Sequence, residues 1–442
     1  MTKKLFFWSL VVALGGFLFG FDTAVISGAE KSIQKYWQLN SFEHGLTMSI
    51  ALIGTVIGAA LGSIPSDGLG RKKTLIIISI LFLVSSVFTA LATNWYVFLL
   101  FRFIGGLGVG ASSVTAPIYI SEISSAKNRG RLVAMFQFNV VLGILVSYLS
   151  NYVIGITVGD HSWRLMLGIM VIPSILFFIL LRFVPESPRW LILKRGKTEE
   201  AKRTLAVIDP VGYEHEIQTI LDRDAKNKSA KKDNLFSGKY SLPIFLAVTF
   251  AVFNQVSGIN AIIYYAPRIF ESSGLATSSS LLSSVAIGGV NFLFTLFALT
   301  LIDKFGRRKL MLIGTIGLIV TLGIVAYLFS MKETNPAAIV FLLLAYIAFF
   351  AMSQGACIWV FISEIFPNSV RAKGQTLGSL THWVMATIIT FVFPVISEGL
   401  GEGVIFSFFC VMMVLQLFFV IKYMPETKGQ SLEELETNLV LH

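Results

Sequence analysis

The chain has 442 residues, of which 55% are hydrophobic and 14% charged, and its formal net charge is +10. Soluble domains carry about 45–50% apolar and about 25% charged residues, and a soluble chain of this length has too little core to hide such an excess. The balance excludes a soluble enzyme, a disordered chain and a disulfide-stapled secreted domain, since Cys357 and Cys410 both sit in apolar runs.

A spanning helix takes about 20 apolar residues. The sequence offers twelve such runs, at 5–26, 45–64, 74–92, 95–119, 132–155, 164–183, 242–267, 280–302, 310–330, 337–362, 373–396 and 403–423. The predicted fold class is an all-α membrane protein with twelve transmembrane helices. Met1-Thr-Lys-Lys before an apolar run has the outline of a signal peptide, but the run is of full span length, carries Asp22 and shows no clear cleavage site. Asp22 falls about 17 residues into span one and Arg102 about 7 residues into span four, which runs the other way. At about 1.5 Å per residue the two reach similar depths. An unpaired charge there costs several kcal/mol, so Asp22 and Arg102 are expected to meet, either as a static ion pair or as a carboxylate that alternates between a proton and the arginine. Gly54, Gly58 and Gly62, and the glycines from Gly105 to Gly110, predict close helix contacts. Gly68-Leu-Gly70 follows no strand and is no phosphate loop.

Between spans six and seven, Pro185 to Lys239 carries 12 basic and 9 acidic residues. Ser187-Pro188 predicts a helix N-cap, Thr198-Glu-Glu a second helix start, and Tyr213 to Asn227 a third helix. The insert is therefore expected to form short amphipathic helices. With both termini inside, the outer segments hold only Lys31, Lys35, Arg164, Arg268 and Lys332, and Arg102 lies within a span. The other 29 of the 35 basic residues face the cytoplasm. That distribution explains the positive charge without nucleic acid. The histidines at 44, 161, 215, 382 and 442 are scattered, which gives no support to a metal site.

Three charged patterns occur twice. Asp67-Gly-Leu-Gly-Arg71-Lys-Lys returns as Asp303-Lys-Phe-Gly-Arg307-Arg-Lys, 303 − 67 = 236 residues on. Ser-Glu122-Ile with Arg129 returns as Ser-Glu364-Ile with Arg371, 364 − 122 = 242 residues on. Pro185-Glu186-Ser returns as Pro425-Glu426-Thr, 426 − 186 = 240 residues on. The order and spacing imply two six-helix repeats, the parallel arrangement that places a substrate site near mid-membrane. The expected domains are an N-terminal bundle at 1–184, a cytoplasmic helical linker at 185–239, a C-terminal bundle at 240–425 and a tail at 426–442.

These motifs, with Gly20-Phe-Asp22-Thr-Ala-Val-Ile-Ser-Gly28, Pro185-Glu-Ser-Pro-Arg189, Gln255-Val-Ser-Gly-Ile-Asn260 and Pro425-Glu-Thr-Lys-Gly429, resemble the sugar porter family of the major facilitator superfamily over essentially the whole chain. The likeness is greatest to bacterial proton-coupled transporters of xylose or glucose. It implies a monosaccharide symporter working by alternating access in the plasma (inner) membrane, with the proton as coupling ion and no other cofactor. Lipid around a functional monomer is expected, and no nucleic acid. A sugar site needs amides, which donate and accept, and aromatic planes. By resemblance, Gln137, Gln255, Asn260, Asn291 and Trp359 match positions that hold the sugar, and Phe19 lines the site. Asn254, Tyr265, Gln354, His382 and Trp383 complete the expected set. Asp22 and Arg102 are the expected proton-coupling pair. Arg71, Glu122, Arg129, Glu186, Arg307, Glu364 and Arg371 resemble the inner-face gate.

The departures are specific. Asn254 stands where the family usually has Gln, and Gln354-Gly-Ala356 replaces a more usual Trp-Gly-Pro. His382 stands where Gln or Asn is common, and Met170 where the xylose/proton transporters have Glu. A facilitative uniporter is the alternative that Met170 keeps open. A non-transporting sensor and a membrane enzyme have no motif in their favour.

Overall fold

The computed structural model describes residues 2–124, 128–158, 162–229, 233–331, 335–367 and 369–429. His161, Lys332, His442, the tail beyond 429 and the side chain of Asp303 lie outside the described residues. Every described regular element is a helix. Twelve segments are long and apolar enough to cross a membrane. Spans one to six run at Lys3–Trp37, Ser41–Leu61, Arg71–Leu91, Trp95–Ile123, Arg129–Thr157 and Ser162–Phe183. Spans seven to twelve run at Ser241–Ser272, Thr277–Ile302, Arg307–Ser330, Pro336–Glu364, Arg371–Leu400 and Glu402–Lys422. An even number of crossings returns the chain to the side on which it began, called here the terminal side; the other is the far side.

Each of the twelve predicted runs falls in one of these spans, and the differences lie at their ends. Span one continues to Trp37 rather than stopping near 26. Its last three turns contain Glu30, Lys31 and Gln34, which lower the hydropathy but find polar partners in the fold, described below. Span two closes at Leu61, and a short helix, Ser63–Leu69, leads into the first charged motif. Close contact replaces side chains where the glycines predict it: a Cβ on Gly58 would lie 2.4 Å from the Leu107 carbonyl oxygen, and one on Gly110 2.2 Å from that of Thr55.

Three spans are broken near their middles. Span seven divides into Ser241–Val256 and Ile259–Ser272, and Gly258 takes φ 91° between them. A Cβ there would also lie 2.4 Å from the Phe409 ring, so backbone and packing both demand glycine. Span ten breaks at Ser353 (φ −114°, ψ −88°) even though no proline follows. Gly314 of span nine makes room for this turn, since a Cβ on it would sit 1.9 Å from Ser353 Oγ. Span six breaks around Met170, which is buried.

The chain forms two compact units. One comprises Met1–Asp22, Ile53–Ile144 and Leu167–Lys231; the other comprises Thr23–Leu52, Leu145–Met166 and Lys232–His442. The second unit therefore includes the far-side ends of spans one, two and five together with spans seven to twelve. Within it, Tyr148 donates to the Ile263 carbonyl at 2.7 Å and Asn151 to the Val25 carbonyl at 3.0 Å. In the first unit the insert folds as Pro188–Arg195, Thr198–Ile208 and Tyr213–Ser229. Ser187 caps the first of these by accepting the Trp190 N–H. Trp190, Leu191, Ala201, Leu205 and Ile220 give the three helices a small core, and Trp190 Nε1 donates to the Asp67 carbonyl at 2.8 Å.

Candidate functional site

The repeated motifs converge at the terminal side, once in each unit. In the first, Gly70 opens span three with φ 103°, and a Cβ on it would lie 2.3 Å from Glu186 Oε2. That approach lets Glu186 accept the backbone N–H groups of Arg71 at 2.9 Å, Lys72 at 3.1 Å and Ser187 at 2.8 Å, capping the positive end of the helix. Burial pushes the Glu186 carboxyl above its ordinary range, while these N–H donors and the Arg71 charge pull it down. Arg71 makes a two-pronged bond to Glu122, 2.9 Å on each side, and also donates to the Ser66 carbonyl and to Asp67. Ser187 Oγ donates to Glu122 at 2.6 Å.

The second unit repeats this plan. Gly306 takes φ 85°, and Glu426 accepts the N–H groups of Arg307 at 3.0 Å and Arg308 at 3.1 Å. Arg307 pairs with Glu364 at 2.8 Å, and Thr427 donates to the other Glu364 oxygen at 2.6 Å. Arg129 and Arg371, at the starts of spans five and eleven, donate to the carbonyls of Ser121 and Phe366 at 3.2 and 3.1 Å. Five of the predicted gate residues thus form two Arg–Glu corners. Glu426, Ser187 and Thr427 belong to the same corners, and their place in the repeated motifs is the sign of it.

Deeper in the first unit, Arg102 Nη1 donates to Asp22 Oδ1 at 2.7 Å. Both side chains are buried, at 2% and 6% exposure. Arg102 Nε and Nη2 have no hydrogen-bond partner. A buried guanidinium with one bond out of a possible set is costly to hold and ready to change partners. Phe19 and Gln137, also in this unit, are partly buried.

The second unit holds the amides. At the span-seven break, Asn260 Nδ2 donates to Gln255 Oε1 at 2.6 Å. Gln255 Nε2 lies 2.8 Å from Asn254 Oδ1 and 3.2 Å from a ring nitrogen of His382. The His382 ring in turn lies 4.9 Å from those of Trp359 and Trp383, with Trp359 38% exposed. The structure thus brings Asn254, Gln255, Asn260, His382, Trp359 and Trp383 into one contiguous cluster of amides and ring planes. Asn291 is buried in span eight. Gln354 touches the cluster through its backbone carbonyl, which Asn254 approaches at 3.4 Å; its side chain donates to Met413 Sδ at 3.3 Å. Tyr265 is turned to other work, donating to the Thr390 carbonyl at 2.8 Å and stacking on Phe393.

A further buried cluster lies near the far side of this unit. Glu30 accepts from Arg268 and touches His44, and Arg268 also reaches Gln34 and Glu398. Its sign in the sequence is slight: Glu30 and Gln34 stand one helical turn apart and so share a face.

Residues 8–439 match the family described as Sugar (and other) transporter. The chain belongs to that family and is a multi-pass membrane transporter of the major facilitator fold. It is 37% identical to the glucose transporter GlcP of Staphylococcus epidermidis, over 97% of this chain and 95% of that one. It is 36% identical to the D-xylose-proton symporter of Escherichia coli, over 98% and 96%. The inward-open structure of the xylose transporter XylE from E. coli superposes with a TM-score of 0.87 at 33% identity, covering 98% of this chain and 99% of that one.

Proposed function

We propose that this protein is a proton-coupled monosaccharide symporter of the plasma membrane, with both termini in the cytoplasm and no cofactor beyond the proton. It works as a monomer, moves its substrate without covalent chemistry, and has no dealings with nucleic acid. The observation that carries the coupling is the Asp22–Arg102 pair: a buried carboxylate held at 2.7 Å by a guanidinium whose other nitrogens are unbonded. Protonation of Asp22 releases Arg102; loss of the proton on the other side restores the pair and resets the carrier. The amide cluster of span seven supplies donors and acceptors for hydroxyls, Trp359 and Trp383 supply ring planes, and Gln137, Phe19 and Asn291 complete the sugar's surroundings. Rocking of the bundles 1–184 and 240–425 exposes the site to each side in turn, and the two Arg–Glu corners meet to close the cytoplasmic face.

Each proton driven across 100 mV supplies about 2.3 kcal/mol, enough to concentrate a sugar roughly fifty-fold at one-to-one coupling. The test is sugar uptake into proteoliposomes with and without an imposed proton gradient. Accumulation above the outside concentration only with the gradient is the expected result; equilibration in both cases overturns it in favour of a uniporter. Met170 favours that second reading, because span six carries a buried thioether where a protonatable residue would otherwise stand.

A further inference from the structure

The far-side cluster is built on a histidine that the coupling scheme above does not use. Span one supplies Glu30, span two His44, span seven Arg268 and Tyr265, and span eleven Glu398. Glu30 is 1% exposed and His44 wholly buried. Glu30 receives Arg268 Nε on one oxygen at 3.0 Å and faces His44 Nε2 with the other at 2.8 Å. Arg268 continues to Gln34 Oε1 and lies 3.6 Å from Glu398, which also accepts from Ser41 and, at 3.1 Å, from Gln34. Lys31 and Glu271 pair beside it. These contacts tie the far ends of spans one and two to spans seven and eleven. Arg268, Glu398, Lys31 and Glu271 also line an open cavity of about 660 Å³, so water reaches the rim of the network while His44 stays dry.

A carboxylate only accepts, so the hydrogen of the Glu30–His44 bond sits on His44 Nε2. That leaves His44 Nδ1 as a lone pair, and it has no hydrogen-bond partner. Nδ1 is thus the one place where the imidazole can take up a proton. The charged groups facing it from the packed elements are Glu30 at 2.8 Å, with Arg268 just beyond, and Glu398; the Tyr265 ring centre lies 6.1 Å away. In the closed arrangement Glu30 already balances Arg268. A proton on Nδ1 would add a second buried cation and an N–H without an acceptor, both costly away from water. Parting the four helices lets water reach the imidazolium and removes Arg268 from it, so the open arrangement binds the proton more tightly. By linkage the proton then favours opening.

We propose that His44 is a second proton-binding site of this protein, one that unlocks the far ends of spans one and two from spans seven and eleven when the far side becomes acidic. This does not require Asp22 and Arg102 to be the coupling pair. The test places spin labels on Lys35→Cys and Leu400→Cys, in a background of Cys357→Ser and Cys410→Ser in lipid nanodiscs, and reads their distance distribution at about pH 8 and about pH 5, either side of the histidine range. Acidification is expected to raise the long-distance population by about tenfold, the shift that one unit of difference in proton affinity gives. His44→Gln should hold one distribution at both pH values, whereas Asp22→Asn should keep the full response. A response that persists in His44→Gln overturns the proposal, as does an unresponsive parent, which makes the test independent of how any variant folds. A normal response alongside failed gradient-driven uptake would sink the Asp22 reading and leave this one standing.

Discussion

The terminal-side corners and the middle of the membrane treat the sequence repeat in opposite ways. At the corners the two halves are built alike: a glycine with positive φ, a glutamate that caps the next span, and an arginine clasping a second glutamate that a hydroxyl also holds. Halfway down they diverge. Shifting by the 240-residue offset between Glu186 and Glu426 carries Asp22 to Ile262 and Arg102 to Leu342, so the second half has no charge pair there. It has the Asn254–Gln255–Asn260 chain instead. The corner solves a packing problem that both bundles share, the turning of a helix end at the membrane surface, and so it is kept twice. The mid-membrane chemistry is divided, with the charge pair in one bundle and the hydroxyl-binding amides concentrated in the other.

The division can be tested at its strongest point first. Asp22→Asn, which mimics the protonated carboxyl and cannot cycle, is expected to abolish gradient-driven accumulation in proteoliposomes while sugar binding, read by calorimetry, survives. Accumulation that persists would leave Asp22–Arg102 as a structural pair only. The corners come next. Removing one partner of a buried ion pair costs about 3–5 kcal/mol, so Glu122→Ala and Glu364→Ala should both lower the thermal unfolding temperature in detergent. Glu122 is expected to cost more, because its side chain is 9% exposed against 23% for Glu364. Equal losses would mean that solvent around Glu364 matters less than the bonding plan. The smallest effect concerns the amides. Gln255→Ala should weaken monosaccharide binding by about 1–3 kcal/mol, since a buried hydroxyl loses its partner, and Gln137→Ala should do the same from the other bundle. If Gln255→Ala weakens binding and Gln137→Ala does not, the sugar is held by the second bundle alone.

The candidate site was legible in unequal measure. Asp22 and Arg102 could be paired from depth alone, because two opposite charges at one level of a membrane have few other partners. Asn260 and Gln255, five residues apart, could be read as flanking a break at Gly258. Which amides touch could not be read: Gln354 and Tyr265 carry suitable groups, but the turn at Ser353 aims the first at Met413, and Thr390 and Phe393 occupy the second. Glu30 and His44 escaped notice because hydropathy registers them only as polar residues near a span end.

Composition, apolar run length and a threefold-repeated set of charges were enough to determine the number of spans, the two-repeat plan and the helices of the insert, because each depends on residues close in sequence and on the cost of polar backbone in lipid. The tertiary structure decided where span one ends, where span ten breaks and which polar side chains meet. Those outcomes rest on contacts between residues far apart in the chain, as when Arg268 and Glu398 make it tolerable for span one to carry Glu30 in its buried face. A carboxylate there is a liability until a helix more than two hundred residues away brings it a partner.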